Sequence, residues 1–263
     1  MLKIQNFTKM YDDKAAVDNL SLEVEAGDIY AFIGHNGAGK TTTIKACCGI
    51  LQFEQGEIFI NGMSVKENPL GCKKQIAYIP DNPELYEYLS GIKYLNFVAD
   101  IYGVGKNERN ERIAKYADAF GLTGDLAQPV STYSHGMKQK LAIISAWLHD
   151  PKLIIMDEPF VGLDPVAAHT LKTMMREHCD NGGAIFFSTH VLEVAEKLCD
   201  KVAIIKSGRL VTSGDMETVK GDASLEAVLL ELEGEHAYSS VKGQFTGFIK
   251  LAQRLRQTRR QGR

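Results

Sequence analysis

The chain has 263 residues, of which 44% are hydrophobic and 24% are charged, and this balance excludes a mainly disordered protein. Seven of the 30 basic residues lie after residue 235, and no acidic residue lies there. The rest of the chain therefore has 23 basic and 33 acidic residues, and this excess of negative charge argues against nucleic-acid binding. No stretch approaches the roughly 20 apolar residues that cross a bilayer, and the first residues lack the apolar core of a signal peptide, so we expect a cytoplasmic protein.

The first part of the chain is predicted to be rich in β-strands. Its short alternating runs are LKIQNF, LSLEVE and GEIFING, with turn residues at Asp12-Asp13, at Ala26-Gly27-Asp28 and at Asn61-Gly62. An apolar strand from Asp28 to Ile33 lies among them, and a helix is predicted from Lys40 to Leu51.

A glycine-rich loop joins that strand to that helix. Its residues are Gly34, His35, Asn36, Gly37, Ala38, Gly39, Lys40, Thr41 and Thr42, and the first eight fit the pattern G-x-x-x-x-G-K-[ST]. Glycines let backbone N–H groups converge on phosphates, and the helix directs the positive end of its dipole at them. We therefore predict that the loop binds ATP, that Lys40 bridges the β- and γ-phosphates and that the Thr41 hydroxyl binds Mg²⁺. The alternative, a plain glycine-rich turn, does not require the complete motif between a strand and a helix.

From about Pro83 to Gln128 the pattern becomes helical. The runs ELYEYLSGIKYLNFVADIYG and NERNERIAKYADAFGL have helical periodicity and are separated by the break Gly103-Val104-Gly105. Strands and helices alternate again further on. We therefore predict an inserted helical subdomain at about residues 83–145.

Two later runs, LIIMDE and AIFFST, are typical of buried parallel strands. The first ends in Asp157 and Glu158, and the carboxyl end of a parallel strand is where open α/β sheets bind ligands. With the glycine-rich loop upstream, Asp157 is predicted to bind magnesium, and Glu158 to orient or deprotonate the attacking water. An ordinary exposed acidic strand end is the alternative.

The segment TYSHGMKQKL, residues 132–141, comes before the acidic strand. Ser134 is suited to cap the following helix, whose free N–H groups could bind a phosphate. Ser134 and Gly136 match the L-S-G-G-Q signature of ABC ATPases, whereas Tyr133, His135 and Met137 depart from it. Alone, the segment could equally be an ordinary helix cap. With the other motifs in this order, the chain resembles the ATP-binding subunits of ABC transporters, in particular those associated with bacterial exporters.

That resemblance covers residues 1 to about 220 and implies further roles. The signature residues of one subunit, here Ser134, His135 and Gly136, cap the ATP that the other subunit holds. Asp164, in Gly162-Leu163-Asp164, resembles the D-loop residue that touches the partner. His190 resembles the histidine that contacts the γ-phosphate, and Tyr11 resembles the aromatic residue that stacks on adenine, although core packing is an alternative for Tyr11.

The resemblance also implies a fold and partners. The fold is α/β, a P-loop NTPase core with an N-terminal antiparallel β-subdomain and an inserted α-helical subdomain, in an ATPase domain of residues 1–235 with a basic tail at 236–263. The ligands are ATP and Mg²⁺. The partners are a second copy or a homologous ATPase subunit and transmembrane permease subunits, at the inner face of the cell membrane. A non-transport ABC ATPase of assembly or translation and a small-molecule P-loop kinase are the alternative functions.

Three features depart from the family pattern or lie outside it. Asp81 follows Tyr78-Ile79-Pro80 where the family has a glutamine, and its carboxylate could still ligate Mg²⁺. His135 could make turnover respond to pH between roughly 5 and 8, or it could be a neutral spacer. In the tail, one helical face is apolar and arginines follow it, which fits either a membrane-binding helix or a solvated tail. That face comprises Phe245, Phe248, Ile249, Ala252 and Leu255.

Overall fold

The computed structural model describes residues 1–233, which contain ten β-strands and nine α-helices. The strands are β1 (Leu2–Tyr11), β2 (Lys14–Val24), β3 (Ile29–Ile33), β4 (Gln55–Ile60), β5 (Met63–Ser64), β6 (Ile76–Ile79), β7 (Leu153–Asp157), β8 (Ala184–Thr189), β9 (Lys201–Lys206) and β10 (Arg209–Asp215). The helices are α1 (Lys40–Cys47), α2 (Pro69–Lys73), α3 (Gly91–Ile101), α4 (Lys106–Ala119), α5 (His135–Trp147), α6 (Pro165–Asp180), α7 (Leu192–Leu198), α8 (Met216–Lys220) and α9 (Leu225–Glu233). Short 3₁₀ turns lie at Thr123–Asp125 and Val130–Thr132.

The strands form two sheets. The first has the order β2-β1-β4-β5 and is antiparallel, as the alternating runs at the start of the chain predict. The second has the order β10-β9-β3-β8-β7-β6, and all its neighbouring pairs are parallel except β10 with β9. This arrangement, with helices α3 and α4 in an insertion between β6 and β7, confirms the predicted fold class.

One apolar cluster fixes helix α1 between the sheets. Phe7 of the first sheet, Phe32 and Phe186 of the second, and Ile44 of α1 belong to it and are buried. Burying a side chain of this size contributes about 1.5–3 kcal/mol. The helix that follows the glycine-rich loop is therefore held from both sides by core packing.

The parallel register brings the carboxyl ends of β3, β8 and β7 to one edge of the sheet. Ile33 pairs with Thr189, and Asp157 pairs with Ser188. The loops that leave these strands start from this edge, so the residues predicted from three separate motifs begin there together.

Two predicted helix boundaries are wrong. The helix expected from Lys40 to Leu51 ends at Cys47, because Gly49 adopts a left-handed φ of +61° that breaks the helical path. The helical pattern from Glu84 yields a helix only from Gly91. Residues 84–90 are instead held by backbone pairing: the Val130 N–H donates to the Leu89 carbonyl (2.8 Å), and the Ser131 N–H donates to the Glu87 carbonyl (3.0 Å). Tertiary pairing overrides local periodicity there.

Contacts divide the chain into two compact units, Met1–Asp222 and Ala223–Arg263, and the described part of the second contains α9. The predicted domain boundary at residue 235 stays a prediction. No helix within residues 1–233 is long and apolar enough to cross a membrane. The predicted amphipathic face of the tail, residues 245–255, lies outside the described residues.

Candidate functional site

The glycine-rich loop lies between β3 and α1, as its motif predicts. Gly39 precedes the first helical residue with a φ of +108°, and a Cβ on it would lie 2.6 Å from the Ala16 carbonyl oxygen. Only glycine fits this conformation and this close approach. The loop therefore delivers Lys40, Thr41 and Thr42 in the first turn of α1, where backbone N–H groups and the helix dipole favour an anion.

Lys40 is largely buried, with 7% of its side chain exposed. Its Nζ donates to the Gly34 carbonyl (2.7 Å) and lies 3.8 Å from a carboxylate oxygen of Glu158. A buried ammonium needs such partners, because burial without them would disfavour its charge. The glycine-rich loop and the acidic strand therefore meet through this lysine.

The acidic strand ends in two carboxylates with different surroundings. Asp157 is 2% exposed and accepts a hydrogen bond from the Ser188 hydroxyl on the neighbouring strand. Glu158 leaves the strand with a φ of +49°, which non-glycine residues seldom adopt. Its backbone N–H donates to both the carbonyl oxygen (3.2 Å) and the Oγ (3.1 Å) of Ser188. Ser188 therefore braces both acids.

His190 follows β8 directly, and the structure brings it to Glu158. Its Nδ1 lies 2.8 Å from Glu158 Oε2, and its backbone N–H donates to the same oxygen (3.2 Å). The His190 side chain is 57% exposed, whereas that of Glu158 is 13% exposed. Lys40, Glu158 and His190 thus form a row of alternating donor and acceptor groups that starts in the interior and ends at solvent.

A cleft of about 840 Å³ opens beside the glycine-rich loop. Its lining comprises residues 11–16 of the β1–β2 turn, residues 35–37 of the loop and Ser207. Tyr11 is 50% exposed at this cleft, so it is not a core residue. The volume is in the range of small-molecule and cofactor sites.

The signature-like segment forms the predicted helix cap. The Ser134 side chain accepts a hydrogen bond from the Met137 N–H (3.3 Å) at the start of α5. Within residues 1–233, no hydrogen bond or ion pair joins Ser134 or Gly136 to the glycine-rich loop. The two predicted phosphate-binding segments are thus not linked by such contacts within the described part of the chain.

The signature helix does contact the Gly162-Leu163-Asp164 loop of the same chain. His135 packs against Gly162, since a Cβ on Gly162 would lie 2.5 Å from its ring. Asp164 caps α6 by accepting from the Ala167 N–H (2.8 Å), and its carboxylate pairs with Lys140 Nζ at 2.7 Å. The hydrogen bond from Lys140 lowers the pKa of Asp164.

Asp81 is exposed and lies two residues beyond Ile79, which pairs with Met156 just before Asp157. It therefore follows a strand that ends at the same sheet edge. No hydrogen bond or ion pair among the described residues joins its side chain to Lys40 or Asp157. Its predicted role as a metal ligand stays a prediction.

Sequence reasoning gave no role to Ser188, Gln139 or Lys140, which brace these residues. Gln139 and Lys140 contact the loop after Glu158, and Ser188 contacts both acids. A polar residue at the carboxyl end of the apolar run AIFFST was the available signal for Ser188. The other two face inward from a helix, and the sequence alone does not say which loop they meet.

Comparison with known proteins finds relatives that match most of this chain. A model of the family described as ABC transporter matches residues 17–161. The ABC-type transporter ATP-binding protein EcsA of Bacillus subtilis (strain 168) is 36% identical over 242 residues, which cover 90% of this chain and 98% of that protein.

Two solved structures are also similar. One, described as the ATP-binding subunit of an ABC transporter, is 36% identical, has a TM-score of 0.86 and covers 89% of this chain and 99% of its own. The other, a dimeric post-hydrolysis state of the ATP-binding cassette MJ0796 bound to ADP and Pi, has a TM-score of 0.75. It is 20% identical and covers 82% of this chain and 99% of its own, so it supports the fold.

Proposed function

The chain belongs to the ABC transporter family as its ATP-binding, ATP-hydrolysing subunit, and from this premise we propose that two such subunits close over two ATP molecules to power transport. Each ATP would lie between one glycine-rich loop and the signature of the opposite subunit. The observation that carries the assignment of ATP binding and hydrolysis to this site is the row formed by Lys40, Glu158 and His190 beside a nucleotide-sized cleft.

Binding would begin on the backbone of Gly34–Thr42. Lys40 now donates to a carbonyl of its own loop, and it would exchange this partner for phosphate oxygens. Tyr11, half exposed at the cleft, would stack on the adenine. Glu158 would then be released from the lysine and could accept a proton from, or orient, the attacking water. His190 holds the Glu158 carboxylate and would contact the γ-phosphate from the solvent side.

The donor set at this edge fits Mg²⁺. This ion prefers oxygen ligands and is usually held by one or two carboxylates together with substrate phosphates. Asp157 supplies a buried carboxylate, Thr41 a hydroxyl at the start of α1, and Asp81 is a third candidate. Bound there, Mg²⁺ would neutralise charge that develops on the phosphates. Replacement of Asp81 by Ala should weaken Mg²⁺-dependent turnover, and an unchanged metal dependence would remove Asp81 from the set.

The signature geometry supports the dimer. Ser134 caps α5, and the helix is not joined to the glycine-rich loop of its own chain by any hydrogen bond or ion pair in the described region. The dimeric cassette with bound ADP and Pi provides a precedent in a protein of the same fold. Ser134, His135 and Gly136 would therefore act on the ATP of the partner, which is a second copy or a homologous subunit, and Asp164 would lie at the seam.

The membrane partner would meet the helical insertion and the segment after Asp81, at the inner face of the cell membrane. Lys138 of α5 bonds Glu87 of that segment, so a displacement of residues 82–87 would reach the signature helix directly. The motif style resembles that of exporter-associated ATPases of bacteria. Co-purification with a multi-spanning membrane protein would support a role in transport, and co-purification with a ribosome would oppose it.

The decisive experiment uses Glu158→Gln, which keeps size and removes the base. Steady-state hydrolysis should fall by about 10²-fold or more, the scale of general-base catalysis. ATP binding should persist, and light scattering should detect an ATP-dependent dimer that Lys40→Ala in the same background abolishes. Near wild-type hydrolysis by Glu158→Gln would overturn the assigned role of Glu158, and a monomer at saturating ATP would overturn the sandwich.

A further inference from the structure

Gln139 is a fully buried polar residue that none of the motifs explains. It lies in the second turn of α5, five residues after Ser134, and is 0% exposed. Its side-chain Nε2 donates to the Pro159 carbonyl at 3.3 Å. A polar side chain is rarely kept in the interior without a partner that requires it.

The Pro159 carbonyl belongs to the residue immediately after Glu158. Glu158 has its left-handed backbone conformation at this point, and the chain then turns, with the Val161 N–H donating to the Glu158 carbonyl (3.2 Å). Proline has no N–H, so Pro159 cannot itself donate a backbone hydrogen bond that would anchor the turn. The Gln139 bond therefore restrains the Pro159–Phe160 peptide, one residue beyond Glu158, and so limits how far the turn that starts at Glu158 can move.

Helix α5 also holds the rest of this loop. A Cβ on Gly136 would lie 2.7 Å from the Gly162 carbonyl oxygen, so the backbones approach closely. Lys140 pairs with Asp164 at 2.7 Å. These contacts are spaced along one side of α5, and the Gln139 contact is the one nearest to Glu158 in sequence.

We propose that Gln139 is a positioning residue for hydrolysis: its side-chain amide, by holding the Pro159 carbonyl, sets the orientation of Glu158. The proposal rests on the assignment of Glu158 as the group that acts on water. Because α5 begins at the signature, a shift of that helix when the signature meets the partner's ATP would move Gln139 and hence Glu158 of the same chain. Gln139 would thus connect occupancy of one ATP site to the chemistry of the other.

The test begins with Gln139→Met, which keeps the volume and removes the donor. We expect kcat to fall by about tenfold, a loss of about 1.4 kcal/mol of transition-state stabilisation, with KM for ATP within about twofold of wild type. The matched control is Ser145→Ala, which removes a buried polar group from the same helix, where its hydroxyl bonds the Ala142 carbonyl and the Tyr94 side chain. It should leave kcat unchanged.

A second variant separates positioning from packing. In Gln139→Glu, the protonated carboxyl can donate to the Pro159 carbonyl and the carboxylate cannot, and burial raises the pKa of such a group. Its kcat relative to wild type at the same pH should therefore rise as pH falls from about 8 to 6. The same ratio for Gln139→Met should stay flat.

The outcomes separate the two proposals. If Glu158→Gln abolishes hydrolysis while Gln139→Met retains wild-type kcat, the role of Gln139 is wrong and that of Glu158 stands. A flat pH ratio for Gln139→Glu, or a Gln139→Met defect confined to thermal stability, likewise overturns it. If Glu158→Gln stays active, the premise fails first.

Discussion

Replacement of Ser188 by alanine tests whether the register between β7 and β8 prepares the acidic end of the site. The fully buried Ser188 hydroxyl donates to Asp157 and accepts from the Glu158 N–H (3.1 Å). The variant removes both bonds and adds no bulk. It leaves the second bond of the Glu158 N–H, to the Ser188 carbonyl, in place.

The magnitude follows from the charge of the acceptor. A hydrogen bond to a charged group contributes about 1.5–3 kcal/mol, whereas a neutral one contributes about 1 kcal/mol. Ser145→Ala makes the same chemical change at a buried position whose partners, the Ala142 carbonyl and Tyr94, are neutral. We expect Ser188→Ala to lower the free energy of unfolding by about 2 kcal/mol and Ser145→Ala by about half of that.

Thermal unfolding without nucleotide and Mg²⁺ provides the measurement. For a chain of this size, 1 kcal/mol shifts Tm by about 2–4 °C, so Ser188→Ala should lose about 4–8 °C and Ser145→Ala about 2–4 °C. If Ser188→Ala loses no more than Ser145→Ala, the bond to Asp157 does not carry a charged-group contribution. The account of Ser188 as the brace of both acids would then be refuted.

Three further predictions rest on other parts of the chain. Burial lowers the pKa of His149 and of His178, so the folded state favours their neutral forms. The free energy of unfolding should therefore be greatest above the histidine pKa of the unfolded chain, about 6.5, and should fall as pH drops below it. Denaturant unfolding at pH 7.5 and 5.5 should show a smaller loss of stability when both histidines are replaced by glutamine. Tyr11→Ala should weaken ATP binding by about tenfold and Tyr11→Phe should not, since stacking on a base contributes about 1–3 kcal/mol. Calorimetric titration measures the two affinities, and an equal loss of affinity in both variants would exclude stacking. Gly162→Ala should lower Tm by several degrees, because Gly162 has a φ of +78° and a Cβ there would meet the His135 ring. Adding His135→Gly should restore part of the lost Tm. If Tm is not restored, the His135 ring is not the obstacle.

The parts of the fold that could be predicted are those with a strong local signal. The runs LIIMDE and AIFFST are short and largely apolar, and the structure buries the strands they form, β7 and β8, fully as neighbours in a parallel sheet. The glycine-rich loop lies between a strand and a helix, as its motif requires. The helix predicted at residues 84–90 does not form, because their helical periodicity is weaker than backbone pairing with residues 130–131, which lie about 40 positions away. The hydrophobic pattern of a short segment carries no information about so distant a partner.

The candidate site divides in the same way. Lys40, Glu158 and His190 belong to three motifs, and strand register alone brings motif ends to one edge, so their meeting could be predicted. Their bracing could not, because Ser188 and Gln139 act through side chains whose partners depend on packing across elements.

The glycine-rich loop and His190, which would touch ATP, follow directly after β3 and β8, whose carboxyl ends are buried neighbours in the parallel sheet. The residue that would act on water, Glu158, is instead placed by its left-handed backbone conformation and by contacts from two separate elements, β8 on one side and α5 on the other. Because α5 starts at the signature, the contact from α5 is the one that a closing partner subunit would displace through that helix. ATP binding and ATP hydrolysis would thus depend on different contacts. Variants that remove contacts made by α5 should lower kcat more than they lower ATP affinity.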